Sequence, residues 1–256
     1  MTTRPTKTWR LLIAYNGARF KGWQRGNGRT VQGTLEETIV SVIARGGEND
    51  VRVNGAGRTD AGAHAEGQVA SVVLPDGVDL EHLLAEVNRA LPGDVSVLSV
   101  EQADDRFHAR YRATAKTYRY RIVDGAVPNP FLAHLAWRQQ QSLDIQAMSD
   151  AAGLFVGKHD FSGFTQAKTA KSTERTVHSI AIERGAFAGG PVTEITVRGD
   201  GFLWKQVRAM VGSLVEIGLG NTRTDRIESL LATRDRTLAP AVAPASGLTL
   251  VSVEYE

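Results

Sequence analysis

Apolar and polar positions follow two different periods along the first half of the chain, and their order predicts its elements. Apolar side chains recur at helical spacing in residues 31–44 and 79–91. Shorter apolar or alternating runs typical of strands occupy residues 8–15, 51–54, 68–74 and 95–100. The predicted order is strand, helix, strand, strand, helix, strand, which is the order of a ferredoxin-like α+β unit.

The second half repeats these element types without an evident sequence repeat. The pattern predicts helices over 144–156, 203–218 and 224–233, and strands over 113–123, 177–187, 192–198 and 247–255. We therefore predict an α+β fold with an N-terminal domain over 1–108 and a C-terminal domain over 109–256. These two ferredoxin- or RRM-like halves are expected to form a largely antiparallel sheet, with helices on one face and an active-site cleft between them.

Composition limits the chemistry more than the fold. The 256 residues include no cysteine, which excludes disulfides, thiolate catalysis and cysteine-bound zinc and is typical of a cytoplasmic protein. No apolar run reaches the length of a membrane span, and no basic-apolar leader opens the sequence. The net charge is only +2, so a nucleic-acid partner needs positive charge that is concentrated locally.

Residues 54–64 connect two predicted strands and carry the most distinctive chemistry. Glycines at 55, 57 and 62 allow tight turns and leave room for a ligand. Arg58 and Asp60 lie two residues apart, so on an extended backbone their side chains point to the same side. A nearby guanidinium keeps a carboxylate ionised, which suits Asp60 as a nucleophile, a base or a metal ligand.

Other interpretations of this loop are weaker or remain open. A dinucleotide-binding loop is disfavoured, because its third glycine would fall where Asp60 stands. A metal site from Asp60, His64 and Glu66 resembles the deaminase His-x-Glu pattern, but that zinc needs cysteine partners that this chain lacks. A structural Arg58–Asp60 pair in a glycine-rich turn remains as consistent with the physics as catalysis.

A basic and aromatic stretch, residues 104–121, indicates RNA. It holds six basic residues against two acidic ones, interleaved with aromatic rings. This mixture suits looped or single-stranded RNA, where bases stack and phosphates need cations. Tyr120 and Arg121 are instead expected in the core, and Trp23 is expected to pin the glycine-rich loop 16–30. The polar loop 165–175 is expected to be mobile.

The loop from Gly57 to His64, Gly-Arg-Thr-Asp-Ala-Gly-Ala-His, resembles the catalytic loop of the TruA family of tRNA pseudouridine synthases. Other segments match that family in order along nearly the whole chain: Tyr15-Asn16-Gly17, Gly22-Trp23-Gln24, Leu91-Pro92-Gly93-Asp94, Phe107-His108-Ala109-Arg110, residues 113–120, His159-Asp160-Phe161, Arg175-Thr176-Val177, Val207-Arg208 and Val211-Gly212-Ser213-Leu214. The chain departs from the family at Gly163, where a small polar residue is usual, and at Lys205-Gln206, where methionine is expected at 206.

The resemblance implies isomerisation of uridine to pseudouridine in the anticodon arm of tRNA, at positions 38, 39 and 40. It implies no cofactor and no metal, and a homodimer with tRNA lying across both subunits. Asp60 would be the catalytic aspartate and Arg58 would hold it, while Tyr118 would pack on the target uracil. The substrate-binding residues implied besides Tyr118 are Arg208, Arg110, His64 and Leu248.

The helical pattern independently supports a site role for Arg208, because it lies at the edge of the apolar stripe of the helix predicted over 203–218. An arginine there buries its stem and directs its charge into a cleft.

Two other functions remain open at this stage. One is a non-catalytic RNA-binding protein on the same fold, and the other is a metal-dependent hydrolase that uses Asp60, His64 and Glu66.

Overall fold

The computed structural model describes residues 5–43, 51–166, 172–239 and 241–256, which form two compact units. Unit 1 comprises Met1–Thr114 and Leu250–Glu256, and unit 2 comprises Ala115–Thr249. Both units mix helices with largely antiparallel strands, so the α+β class is confirmed. Unit 1 thus includes the end of the chain as well as its first part, and the predicted domain bounds 1–108 and 109–256 stay a prediction.

Unit 1 follows the predicted order of strands and helices. Its elements are β1 (Thr6–Tyr15), α1 (Val31–Ile43), β2 (Asn54–Gly55), β3 (His64–Pro75), α2 (Leu80–Ala90) and β4 (Val95–Gln102). The strand β1 lies between β4 and β3 and is antiparallel to both, and β2 pairs with Ser71 and Ala70 of β3. This is the strand arrangement expected for a ferredoxin-like unit.

The helices of unit 1 begin where short polar side chains cap them. The hydroxyl of Thr30 accepts the Gly33 N–H at 3.3 Å at the start of α1. The carboxylate of Asp79 accepts the His82 N–H at 3.1 Å at the start of α2. Such caps satisfy N–H groups that have no partner inside the helix. On the apolar face of α1, Val31, Leu35 and Ile39 are buried as their spacing predicts, and Val42 and Ile43 are half-buried.

Unit 2 contains the remaining elements. They are β5 (Ala113–Asp124), β6 (Trp137–Gln139), α3 (Ile145–Ala152), β7 (Gly157–Asp160), β8 (Glu174–Phe187), β9 (Gly190–Gly199), α4 (Gln206–Gly218), α5 (Asp225–Thr233) and β10 (Leu248–Tyr255). The first strand begins two residues before the boundary, and β10 continues into unit 1. The sheet order in unit 2 is β5, β9, β8, β7, and β6 runs parallel to β5.

Two features of these strands follow from glycine. Ala188 and Gly189 have φ values of 47° and 75° and form the tight turn of the predicted β8–β9 hairpin, which is confirmed. In unit 1, a Cβ on Gly67 of β3 would lie 2.3 Å from the carbonyl oxygen of Val251 in β10. The two backbones approach closely there because position 67 has no side chain.

Three sequence-based boundaries need correction. The strand predicted over 51–54 reduces to Asn54–Gly55, because the apolar signal of Val51 and Val53 reflects burial and not strand pairing. The helix predicted over 203–218 begins at Gln206, since Lys205 has a left-handed backbone with φ 64°. The helix predicted over 144–156 ends at Ala152, where a 3-10 turn follows.

The sequence pattern missed the short strands β6 and β7. Residue 44 of the predicted first helix and residues 167–171 of the predicted mobile loop lie outside the described residues. In the described part of the chain, no helix combines the length and the apolar character that crossing a bilayer requires.

Candidate functional site

The Asp60 loop, residues 56–64, is held against residues 16–23, which we call the clamp segment. The Trp23 N–H donates to the Thr59 carbonyl at 3.1 Å, and the Gly62 N–H donates to the Phe20 carbonyl at 3.3 Å. Within the loop, the Ala63 N–H donates to the Asp60 carbonyl at 3.1 Å. The backbone on both sides of the Asp60 side chain is therefore fixed by hydrogen bonds.

Glycines allow this close contact between the two segments. A Cβ on Gly17 would lie 1.7 Å from the Ala63 carbonyl oxygen, a distance that no side chain tolerates. A Cβ on Gly22, whose φ is 97°, would lie 2.7 Å from the Thr59 carbonyl oxygen. The clamp segment thus needs glycine at both positions to support the Asp60 loop.

Rings of the clamp segment are buried beneath the loop. Phe20 and Trp23 are 3% and 2% exposed, which confirms that Trp23 pins its glycine-rich loop. A Cβ on Gly55 would lie 2.5 Å from the Trp23 ring, so the indole packs directly on the backbone of β2. Aromatic burial of this size contributes strongly to local rigidity.

Buried polar side chains complete the support of the Asp60 loop. The Tyr15 and Thr59 hydroxyls share a hydrogen bond of 2.8 Å, and the Gln68 side-chain amide donates to the Gly57 carbonyl at 2.8 Å. Burial raises the pKa of Tyr15 to about 12, and the hydrogen bond to Thr59 offsets only part of this effect. The Tyr15 phenol is therefore neutral at physiological pH.

His64 ends the loop in a buried position. It is 4% exposed, and its Nδ1 accepts the Gly17 N–H at 3.0 Å. Nδ1 is therefore the unprotonated nitrogen of the ring in this arrangement. The structure thus gives His64 a contact that joins the loop to the clamp segment, and its contact with substrate stays a prediction.

Asp60 is half-buried, and Arg58 is exposed two residues before it. Their pairing stays a prediction. Within residues 5–43, 51–166, 172–239 and 241–256, no three His, Cys, Asp or Glu side chains are grouped so that they could hold a metal ion. Asp60, His64 and Glu66 accordingly do not form a metal-binding cluster. The loop presents one partly exposed carboxylate on a rigid, glycine-rich support.

With Asp60 as the predicted catalytic group, we expect Tyr15→Phe to lower kcat about tenfold with little change in KM, because a catalytic group displaced by less than 1 Å loses rate before it loses binding. The change leaves the buried Thr59 hydroxyl without its partner, so the free energy of unfolding should fall by about 1–2 kcal/mol. Steady-state kinetics and thermal denaturation measure the two effects.

The matched control for Tyr15→Phe is Tyr255→Phe. The Tyr255 hydroxyl also donates inside unit 1, to the Ala109 carbonyl at 2.7 Å, but it does not contact the Asp60 loop. Its loss should leave kcat unchanged. Tyr15→Phe with wild-type kcat and reduced stability would show that the hydroxyl pair stabilises unit 1 without positioning Asp60.

Tyr118, Arg208 and Leu248 lie in unit 2. Tyr118, on β5, is 7% exposed, and its ring meets the Phe202 ring edge-on with centroids 5.4 Å apart. Arg208 is half-buried on α4, and its Nε donates to the Ala243 carbonyl at 2.6 Å. Leu248 is 7% exposed at the start of β10. The cleft expected between the halves stays a prediction.

Residues 104–121 separate into an exposed part and a buried part. Arg110 is exposed with its guanidinium 6.0 Å from the ring of Tyr111, which is 75% exposed. Arg121 is 5% exposed, with its Nε 2.8 Å from Glu194 and its guanidinium over the Phe187 ring. Tyr120 is 0% exposed, so the core positions expected for Tyr120 and Arg121 are confirmed.

Several residues that shape the site were missed by sequence reasoning. Tyr15 occupies an ordinary position in a predicted strand and carried no signal of a site role. Gln68 is a polar residue at the start of the apolar run 68–74, which was the only hint of a buried polar role. Phe202, which orients Tyr118, was assigned no role, because the contact joins residues that are far apart in sequence.

Known proteins are similar to this chain over most of its length. A sequence profile of the family described as tRNA pseudouridine synthase matches residues 11–112 and 151–256. The chain is 41% identical over 250 residues to a tRNA pseudouridine synthase A of Bacillus sp. (strain KSM-64), covering 96% of this chain and 99% of the relative. It is 39% identical over 248 residues to the protein of that name from Acetivibrio thermocellus, covering 96% and 98%.

Proposed function

Because the chain belongs to the tRNA pseudouridine synthase family, whose members isomerise uridine to pseudouridine in tRNA, we propose that it modifies uridines 38, 39 and 40 of the anticodon arm, with Asp60 as its catalytic carboxylate. The observation that carries this proposal is the Asp60 loop. A half-buried carboxylate stands on a backbone fixed by the clamp segment and by the buried Tyr15–Thr59 pair. Such rigid placement is what a catalytic group needs.

The reaction rearranges one nucleotide without gaining or losing atoms. The bond between C1′ and N1 breaks, the uracil turns, C5 bonds to C1′, and the proton on C5 leaves while N1 gains one. An ionised Asp60 starts this sequence either by attacking C1′ or by removing the proton from C2′. Neither route transfers electrons to or from the nucleotide, so the chemistry calls for no redox cofactor.

Tyr118 is proposed to support the turning uracil. A detached base needs a flat, nonpolar surface, and a tyrosine ring supplies one. The edge-on contact with Phe202 fixes the plane of the Tyr118 ring, which supports this assignment. Its hydroxyl is a suitable group to move the C5 proton. Arg208, whose Nε donates to the Ala243 carbonyl, is proposed to bind the RNA backbone through its guanidinium charge.

The partner and its setting are part of the same proposal. Moving the target base out of its stack costs a few kcal/mol, which contacts with the surrounding tRNA offset. The exposed arginines near Tyr111 support such contacts, namely Arg106, Arg110 and Arg112. By family resemblance, we propose a cytoplasmic homodimer with the tRNA lying across both subunits, for which sedimentation of the free and tRNA-bound protein is the test.

Incubation with an unmodified tRNA transcript tests the proposed function. With the RNA folded in monovalent salt and EDTA present, we expect full conversion at the uridines of positions 38–40, because an isomerisation by a carboxylate needs no metal. Chemical mapping of pseudouridine measures the product, and a transcript with cytidine at those positions is the control. Binding without conversion would favour the RNA-binding alternative, and hydrolysis that EDTA abolishes, in place of conversion, would favour the metal-dependent hydrolase.

A further inference from the structure

Trp204 differs from the tryptophans of unit 1 in its exposure. Trp9 and Trp23 are 5% and 2% exposed, whereas Trp204, two residues before the start of α4, is 52% exposed. The Nζ of Lys205 lies 4.5 Å from the centroid of the Trp204 ring and donates to the side-chain oxygen of Gln166 at 2.6 Å. An exposed indole paired with an ammonium group offers both features that single-stranded RNA recognition uses, a ring for a base and a cation for a phosphate.

The backbone that carries Trp204 is held in place by side chains. The hydroxyl of Thr165 donates to the Trp204 carbonyl at 2.8 Å. The Gln206 side-chain oxygen accepts the Leu203 N–H at 2.8 Å, and Gln206 is 0% exposed. Lys205 takes the left-handed conformation between them, with φ 64°. The indole therefore projects from a fixed turn.

This turn also lies beside Tyr118. Phe202 meets the Tyr118 ring edge-on, and Trp204 follows two residues later. Two residues span at most about 7 Å, so Trp204 lies on the same short turn as the residue that contacts the proposed uracil support. All of these residues belong to unit 2.

We propose that Trp204 and Lys205 form a subsite for the nucleotide that adjoins the target uridine. When the target base turns out of the stack, its neighbour loses a stacking partner, and the Trp204 indole replaces it. Lys205 contacts the phosphate of that neighbour. The subsite accepts any base, because every base has a π face. The identity of the target nucleotide rests on the proposed function.

Three variants test this subsite by kinetics on a tRNA transcript. Trp204→Ala should raise KM about tenfold and keep kcat within about twofold, because the lost stacking supports binding and not chemistry. Trp204→Phe should have a KM close to that of the wild type, because phenylalanine keeps a ring for stacking. The matched control, Phe131→Ala, removes a ring that is 79% exposed elsewhere in unit 2, and it should leave KM unchanged.

Fluorescence separates stacking from a structural role. Stacking of a base on Trp204 should quench its emission when tRNA is added, and Trp204→Phe should abolish that part of the quenching. Unchanged KM in Trp204→Ala, or equal quenching in Trp204→Phe, would overturn the subsite even when pseudouridine forms normally. Quenching at Trp204 without pseudouridine formation would instead contradict the proposed function and leave the subsite standing.

Discussion

Asp60→Asn is expected to reduce pseudouridine formation on the order of 10⁴-fold, since an amide of the same shape neither attacks C1′ nor removes a proton from C2′. Affinity for tRNA should stay within about threefold of wild type. The Ala63 N–H donates to the backbone carbonyl of Asp60 and not to its side chain, so this hydrogen bond of the loop does not depend on the carboxylate. Single-turnover conversion and filter binding measure the two quantities.

Glu66→Gln is the matched control for this variant. Glu66 is an exposed carboxylate two residues after His64, and it belongs to the rejected metal cluster. We expect conversion by Glu66→Gln at the wild-type rate. Near wild-type conversion by Asp60→Asn would remove Asp60 from the mechanism. Loss of activity in both Asp60→Asn and Glu66→Gln, together with sensitivity to EDTA, would favour the metal-dependent alternative.

The Asp60 loop is predictable from sequence because its determinants are local. Glycine spacing and the Arg58-Thr59-Asp60 run stand next to one another in the chain. The support of the loop is not local, since Tyr15 and Thr59 meet across 44 residues, and Gly17 and His64 meet across 47. Periodicity reports which side chains are buried but not which distant partner each one meets.

The errors in element boundaries have the same origin. Val51 and Val53 are buried without strand pairing, so an apolar run there imitated a strand. Leu203 shares the apolar stripe of α4, but the left-handed Lys205 separates it from the helix. A lysine carries no strong signal for that conformation, in contrast to glycine or asparagine. The first residue of α4 and the exposure of Trp204 therefore could not be predicted from the sequence.

Charge was similarly ambiguous in the basic stretch. The sequence predicts a core position for Arg121 but no partner for its charge or for that of Arg119; Glu194, on the neighbouring strand β9, lies 3.7 Å from Arg119 and 2.8 Å from Arg121. A carboxylate that contacts both guanidinium groups offsets part of their charge. The exposed cations that suit RNA are accordingly those before β5, around Tyr111.

Tyr118→Leu is expected to slow conversion on the order of 10³-fold, and Tyr118→Phe only about 10²-fold. Phenylalanine keeps the flat ring and its edge-on contact with Phe202, and it loses only the hydroxyl proposed to move the C5 proton. Leucine also loses the ring that supports the uracil, which accounts for a further factor of about ten. Single-turnover rates of the two variants on one tRNA transcript measure the difference.

Tyr120→Phe separates the role of Tyr118 from a general loss of stability. Tyr120 lies two residues further along β5, is 0% exposed, and donates its hydroxyl to the Pro244 carbonyl at 2.7 Å. Removing that hydroxyl should lower the free energy of unfolding by about 1 kcal/mol and leave the rate of conversion unchanged. Equal losses of rate in Tyr118→Phe and Tyr118→Leu would assign the effect to the hydroxyl alone, because a ring that supports the turning uracil must make the two variants differ.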